Sequence, residues 1–273
     1  MPALKLKRSN LQTPKLSNGR SPISMEVQKQ WFKDWFNSPY YHLLYSNRDE
    51  KEAAAFIDKL LAYLQPAAGA LMLDVACGRG RHARYLADRG FDVTGIDLSI
   101  ESINAAKKLE NDHLHFYQHD MRLPFRINYF DVVFNFFTSF GYFDTQRDND
   151  NALRMLKNSL KPGGRVVLDY LNSTYVAAHL VPSEVKEVDH VVFDIKREVE
   201  DKRFLKEIRI LDQEKPLRAV FTESVKAFTR ADFESMFQRQ GLRILDIFGD
   251  YHFNAYDETR SPRMVIIGEK SKI

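Results

Sequence analysis

The sequence predicts an α/β fold built on a doubly wound parallel sheet, and two patterns carry this prediction. Between residues 71 and 171, short apolar segments alternate with helical patterns across short connections. Such alternation is typical of parallel strands covered by helices on both faces. From about residue 184, apolar and polar residues alternate with a period of two, which predicts antiparallel strands. We therefore expect a seven-stranded sheet with an antiparallel β insertion before the last helix.

The 273 residues are enough for one large domain with an insertion. Composition and periodicity change at four positions along the chain. We predict a disordered basic tail, an N-terminal helical cap, a ligand-binding core, the β insertion, and a last helix and strand pair that returns to the core. In that order, these units span residues 1–24, 25–66, 67–183, 184–228 and 229–273.

The cap is predicted from its aromatic spacing. Aromatic residues at 31, 32, 35 and 36 share one face of a helix. This face either packs on the core or covers a ligand as a lid. A second helix is expected over residues 49–64 and ends before Pro66 and Gly69.

The core elements follow from apolar runs that end at glycine or proline turns. We predict strands over Leu71–Val75, Phe91–Ile96, His115–Gln118, Phe130–Phe137 and Arg165–Leu171, and helices over Arg81–Arg89, Ile100–Leu109 and Asn149–Leu160. Three period-two segments around residues 191–195, 204–210 and 221–225 predict the insertion strands. A capping-box pattern at Thr229 begins the last helix, Gly241 ends it, and strands follow at 242–248 and 264–268.

Charge and cysteine content exclude several classes of protein. Five of the 40 Lys and Arg residues lie in the acid-free tail, which leaves 35 cations against 37 acids in residues 25–273. A near-neutral body gives no electrostatic reason to expect binding to nucleic acid. The single cysteine, Cys77, fits a reducing cytoplasm, and no apolar run is long enough to span a bilayer. No ligands complete a metal set around the histidines at 113, 115 and 119, so no metal is expected.

The most informative segment joins the first strand to the next helix. Gly78 and Gly80 allow a tight turn there, and Asp97 ends the following strand, which together favour an adenosine-containing ligand. The turn also fits the pattern of nicotinamide dinucleotide enzymes. Asp74 precedes the turn and would repel a pyrophosphate, whereas it suits the cationic groups of S-adenosylmethionine. We therefore favour S-adenosylmethionine over the dinucleotide.

With these motifs in place, the chain resembles the class I S-adenosylmethionine-dependent methyltransferases, over roughly residues 40–180 and 229–270. The resemblance implies a Rossmann-like methyltransferase sheet. Ala76 replaces the first glycine of the family's first motif, and the Lys161–Arg165 segment is also typical of the family. The implied cofactor-binding residues in the core are Asp74, Ala76, Gly78, Gly80, Asp97, Leu98, Asp120, Met121 and Phe136.

Within the family, the chain is most similar to the amino-sugar N-methyltransferases and glycine N-methyltransferase. That subgroup has a tyrosine and a basic residue about eight positions apart near the cofactor. Tyr40 and Arg48 match this spacing, and Tyr41 is nearly equivalent. The resemblance implies cofactor-binding roles for Tyr41 and Arg48, with Arg48 on the methionyl carboxylate, and an acceptor-side role for Tyr40.

The loop after the fourth strand is the expected wall for the methyl acceptor, because such folds bind ligands at the carboxyl ends of their strands. Its candidates are Tyr142 as a catalytic residue, with Thr138 and Ser139 binding the substrate. Tyr170 and Asn172 end the fifth strand and are further substrate-binding candidates. His252, between the last two strands, is a second catalytic candidate, although a lone histidine is more often structural.

We expect a cytoplasmic enzyme that methylates nitrogen or oxygen of a small molecule. Two alternatives stay open from the sequence: a nicotinamide dinucleotide oxidoreductase, and a cofactor-binding scaffold that is not an enzyme. We expect no nucleic-acid or membrane partner, and an edge strand of the insertion could pair two copies in a homodimer.

Overall fold

The structure is a computed structural model that describes residues 30–46, 50–215 and 217–272. The predicted tail at residues 1–24 and the predicted carboxylate ligand Arg48 lie outside these ranges. No helix within the described ranges is long and apolar enough to cross a membrane.

The core is a seven-stranded sheet with helices on both faces, as predicted. Its strands are β1 (Leu71–Val75), β2 (Asp92–Asp97), β3 (Leu114–Gln118), β4 (Phe130–Asn135), β5 (Leu160–Leu171), β10 (Leu242–Phe248) and β11 (Arg263–Lys270). Their order across the sheet is β10-β11-β5-β4-β1-β2-β3. The strands from β5 to β3 in this order are parallel, whereas β11 runs antiparallel to both of its neighbours.

The predicted helices are present in the predicted order, together with a short helix after β5 that the sequence pattern did not predict. They are α1 (Trp31–Asn37), α2 (Pro39–Leu44), α3 (Glu50–Leu64), α4 (Arg81–Ala87), α5 (Ile100–Ala106), α6 (Gln146–Ser159), α7 (Ser173–Ala178) and α8 (Arg230–Gln240), and a short 3-10 turn, Lys107–Leu109, extends α5. The capping box of α8 is confirmed, because the side chains of Thr229 and Asp232 each accept the other's backbone N–H. Gly241 ends this helix in the left-handed conformation, with φ 69°.

The insertion between α7 and α8 is a separate antiparallel sheet of four strands. These are β6 (Ser183–Val188), β7 (Val191–Glu200), β8 (Arg203–Asp212) and β9 (Leu217–Lys226). The sequence pattern predicts β7, β8 and β9 but misses β6. This edge strand is mostly exposed and therefore has no buried apolar face to give a period of two.

The sheet brings the carboxyl ends of its central strands to one edge. Val75, at the end of β1, pairs with Ile96 of β2. Asp97, the next residue of β2, therefore lies beside the glycine turn that follows β1. On the other side of β1, Asn135 of β4 donates from its side chain to the Val75 carbonyl, at 3.0 Å. This edge is where doubly wound sheets bind ligands.

Candidate active site

A cavity of about 490 Å³ lies between this edge of the sheet and the cap helices α1 and α2. Its volume is within the range of small-molecule sites. The structure brings many of the sequence-predicted residues together here. Those that line the cavity are Tyr41, Ala76, Gly78, Asp97, Leu98, Asp120, Met121, Phe136, Ser139 and Tyr142.

The glycine turn after β1 is shaped by backbone conformation and by Asp97. Gly78 and Gly80 have φ of 56° and 82°, in the left-handed region that favours glycine. Asp97 fixes the turn, because its Oδ2 accepts the Gly78 N–H and its Oδ1 accepts the Ser99 N–H, both at 2.8 Å. Ala76, which replaces the family's glycine, also has a positive φ of 61°, so the replacement carries a strain of about 1 kcal/mol.

The two glycines of the turn differ in what surrounds them. A Cβ on Gly80 would lie 2.4 Å from Cζ of Phe116, whereas a Cβ on Gly78 would meet nothing within 4 Å among the described residues. Gly80→Ala is therefore expected to lower the free energy of unfolding by about 3 kcal/mol, from backbone strain and overpacking.

Gly78→Ala is the matched comparison and is expected to lower the free energy of unfolding by only about 1 kcal/mol. Its added methyl group would reduce the space in the cavity and weaken ligand binding. Urea unfolding of both variants measures the difference. Equal losses of stability would contradict the distinction between packing at Gly80 and open space at Gly78.

Asp97 and Asp120 lie in different electrostatic environments. Burial raises the pKa of Asp97, and the backbone hydrogen bonds oppose that rise. Burial also acts to raise the pKa of Asp120, but hydrogen bonds from Arg122 outweigh it and hold this pKa below its ordinary value. Nη2 of Arg122 lies 2.5 Å from Oδ2 of Asp120, so Asp120 is an ionised acceptor with a fixed orientation.

Asp74 lies beneath the glycine turn and does not line the cavity. Its residue is 1% exposed, and its Oδ2 has no hydrogen-bond partner within the described part of the chain. Burial first, and then the nearby charge of Asp97, raise the pKa of Asp74 to about 8. The carboxyl group is therefore mostly protonated at neutral pH when no ligand is bound.

This raised pKa predicts a pH-dependent effect of Asp74→Asn. The folded state holds a proton that the unfolded chain releases above a pKa of about 4, so the wild-type protein loses stability as pH rises from 4 toward 8. The neutral amide removes this loss. The stability of the variant relative to wild type should improve by about 2 kcal/mol between pH 6 and pH 8.

Urea unfolding at both pH values measures this change. Asp88→Asn, at an exposed position at the end of α4, is the control and should leave the pH dependence unchanged. Parallel pH profiles for wild type and Asp74→Asn would show that the buried carboxyl group titrates normally.

Aromatic rings from the cap form the other wall of the cavity. The Phe36 ring lies 4.9 Å from that of Tyr41 and 5.6 Å from that of Tyr142 between centroids. Trp31 is buried behind them, with its ring 5.3 Å from Tyr142. The cap therefore both packs on the core and covers the cavity, which combines the two roles left open by the aromatic spacing.

Strained backbone shapes the loop after β4. Phe137 and Thr138 both have positive φ, at 55° and 59°, which costs non-glycine residues free energy. The buried carboxylate of Asp169 holds this turn by accepting the Phe137 N–H at 2.8 Å. Nη2 of Arg263 donates to the same carboxylate at 2.6 Å and the Tyr251 hydroxyl at 3.0 Å.

Several predicted substrate or catalytic residues do not reach the cavity. The Tyr40 hydroxyl donates to Asp212 of the insertion at 2.8 Å. Tyr170 is fully buried and donates to the Lys226 carbonyl. Asn172 is also buried, and its amide donates to the Ser261 carbonyl at 2.7 Å.

His252 lies on an exposed turn beside Lys59, and Gly80 and Thr138 are not among the residues that line the cavity. For Tyr170 and Asn172, the end of a strand fixes the place along the strand but not the direction of the side chain, and the place of Tyr40 is set by its contact with the insertion. Tyr40, Tyr170, Asn172 and His252 therefore do not enter the site that we propose below.

Sequence reasoning also missed residues that line the cavity. The rings of His82 and Phe137 are stacked, with centroids 5.0 Å apart. Burial first, and then the charge of Arg79, lower the pKa of His42 to about 4, so its imidazole is neutral at neutral pH. Phe137 directly follows Phe136 and His82 lies two residues after Gly80, so their nearness to the motifs is a usable signal, whereas His42 and Tyr45 reach the cavity only through the packing of the cap.

Comparison with known proteins shows the family of the chain. Residues 73–168 match a family described as a methyltransferase domain. Over 215 residues, the chain is 31% identical to dTDP-3-amino-3,4,6-trideoxy-alpha-D-glucopyranose N,N-dimethyltransferase from Streptomyces venezuelae, and the match covers 75% of this chain and 89% of that protein. A second relative, dTDP-3-amino-3,6-dideoxy-alpha-D-glucopyranose N,N-dimethyltransferase from Streptomyces fradiae, is 29% identical over 72% of this chain and 79% of its own length.

Solved structures show the same fold. An S-adenosylmethionine-dependent methyltransferase from Clostridium acetobutylicum matches with a TM-score of 0.71 at 20% identity, over 85% of this chain and 96% of that one. DesVI from Streptomyces venezuelae matches with a TM-score of 0.64 at 27% identity, over 85% and 97% of the two chains. The comparisons give no support to the dinucleotide oxidoreductase or to the scaffold. The chain therefore belongs to the S-adenosylmethionine-dependent methyltransferases.

Proposed function

We propose that this methyltransferase transfers a methyl group to the amine nitrogen of a small molecule bound between the aromatic cap and the loop after β4. The observation that supports this most is one continuous cavity, which joins the adenosine-side residues Asp97 and Asp120 to the acceptor-side residues Ser139 and Tyr142. An amine acceptor is favoured because two relatives act on amino sugars.

The residues of the cavity fit the cofactor. Asp97 would accept hydrogen bonds from the ribose hydroxyls, and Asp120 would accept from the adenine edge beside Met121. The open space at Gly78 leaves room for the methionyl part beside the turn. S-adenosylmethionine supplies a methyl group already activated by a sulfonium leaving group.

The work left to the protein is alignment of the acceptor and exclusion of water. The ring wall of Phe36, Tyr41 and Tyr142 provides an apolar surface that excludes water from the methyl group. Tyr142 and Ser139 supply the polar contacts that would orient the acceptor. A neutral amine needs little help from a base, whereas a hydroxyl acceptor requires one near its proton.

Two measurements test this function. Calorimetry with S-adenosylhomocysteine should show saturable binding, while NADH should not bind. A panel of amino sugars, free or carried on a nucleotide, and their hydroxyl counterparts should then give methylated product only from the amines. Tight binding of NADH without binding of S-adenosylhomocysteine would overturn the function, and methylation of hydroxyl groups alone would overturn the choice of nitrogen.

We also propose a cytoplasmic enzyme that does not act on nucleic acid and that forms a homodimer through the insertion. The free thiol of Cys77 supports the cytoplasmic location. The near-neutral charge of residues 25–273 supports an acceptor other than nucleic acid. Exposed apolar side chains on the insertion, at Val185, Leu211 and Val220, support the homodimer. Light scattering of the full chain tests it, because a monomeric mass would contradict a dimer.

A further inference from the structure

A polar cluster joins the cap to the β insertion beside the cavity. Oε1 of Glu223, on β9, accepts hydrogen bonds from Nε1 of Trp35 and from the Tyr45 hydroxyl, both at 2.7 Å. Lys206, on β8, donates to the same hydroxyl. Two residues of the insertion therefore hold one phenol that is more than 150 positions away in the chain.

The cluster contains a largely buried ion pair. Nζ of Lys206 lies 3.7 Å from Oε2 of Glu223, and the two side chains are 16% and 17% exposed. The same Nζ lies 4.7 Å from the centroid of the Tyr45 ring, within the range of a cation–π contact. Burial lowers the pKa of Lys206, and the Glu223 carboxylate opposes that shift. Each charge therefore depends on the other, and removal of one leaves its partner uncompensated.

Both hydrogen-bond donors to Glu223 either line the cavity or pack on a residue that lines it. Tyr45 is itself a lining residue. Trp35 is fully buried, and its ring packs 4.7 Å from Phe221 of the insertion and 5.6 Å from Tyr41, which also lines the cavity. One carboxylate thus fixes two neighbouring parts of the cap.

We propose that Glu223, with Lys206, is a positioning residue that holds Tyr41 and Tyr45 of the cap against the bound cofactor. The β insertion would then raise the affinity for the cofactor through Tyr41 and Tyr45 without touching it. This role rests on the proposed function, because it requires the cofactor to occupy the cavity.

Calorimetric titration of the full chain with S-adenosylhomocysteine tests the role. Glu223→Ala should weaken binding about tenfold, because two hydrogen bonds to a charged acceptor are lost. Glu223→Gln should weaken binding less, by about threefold, since its amide oxygen still accepts from Trp35 and Tyr45 but the charge that compensates Lys206 is lost. Tyr45→Phe should weaken binding about threefold, and adding it to Glu223→Ala should cause no further loss.

Glu200→Ala is the matched control, because Glu200 is an exposed acid on β7 of the same sheet; it should bind like wild type. Tryptophan fluorescence gives a second readout, since Glu223→Ala removes the indole partner of Trp35, one of only two tryptophans. If Glu223→Ala does not fold, Tyr45→Phe and Glu223→Gln still test the proposal.

Wild-type binding together with unchanged affinity in Glu223→Ala, or in Tyr45→Phe, would overturn the positioning role alone. Full additivity of the two substitutions would overturn it as well, because it would show that they act independently. Failure of the wild-type chain to bind S-adenosylhomocysteine would instead overturn the proposed function, and the positioning role with it.

Discussion

Asp97→Ala is expected to weaken S-adenosylhomocysteine binding about 100-fold, since two or more hydrogen bonds to a charged acceptor are lost. The carboxylate has two tasks at the cavity. It is the proposed acceptor for the ribose hydroxyls, and it already fixes the glycine turn through the N–H groups of Gly78 and Ser99. The alanine variant loses both at once.

Asp97→Asn separates these tasks. Its amide keeps one acceptor oxygen, so we expect a loss of about tenfold. Asp92→Asn, at the opposite end of the same strand, should bind like wild type. Calorimetry gives the affinities and thermal unfolding shows that each variant is folded. Unchanged affinity in a folded Asp97→Ala variant would contradict the proposed role of Asp97 in binding the cofactor.

Asp169→Asn is expected to lower the free energy of unfolding by about 4 kcal/mol, because it leaves a buried charge without its partner. Asp169 is 0% exposed. Its two oxygens accept hydrogen bonds from Arg263, Tyr251 and the strained backbone at Phe137. An amide brings N–H groups toward the Arg263 guanidinium, so the strained turn loses its support as well.

Asp131→Asn is the matched control. Asp131 also pairs with a cation, Lys161, and also accepts a backbone N–H, from Leu71. Its side chain is 37% exposed, so the expected loss is at most about 1 kcal/mol. Urea unfolding measures both variants. Equal losses would mean that burial does not determine how much the Asp169 interactions contribute to the free energy of unfolding.

The sequence predicts the central strands of the core sheet well because they are buried on both faces. The predicted boundaries of β1, Leu71–Val75, are confirmed, since an apolar run between turn residues leaves little freedom. The edge strand β6 is missed because its side chains are mostly exposed. Burial gives a sequence pattern, and an exposed strand pairs through its backbone without one.

The same reasoning explains the site. Asp97 is the last residue of β2 and Asp120 lies two residues after the end of β3, and the ends of these neighbouring strands meet at one edge, so the chain order alone brings both acids to the cavity. Tyr170 also ends a strand, but it turns into the core, where it donates to the Lys226 carbonyl. The roles of Tyr45 and Glu223 depend on contacts between the cap and the insertion, and no local sequence pattern predicts these contacts.

A crystal structure with S-adenosylhomocysteine bound tests the central claim most directly. We expect the adenosine between Asp97 and Asp120, with the ribose hydroxyls on Asp97, and the homocysteine sulfur facing the wall formed by Phe36, Tyr41 and Tyr142. An adenosine bound away from Asp97 and Asp120, or a sulfur turned away from that wall, would contradict the account.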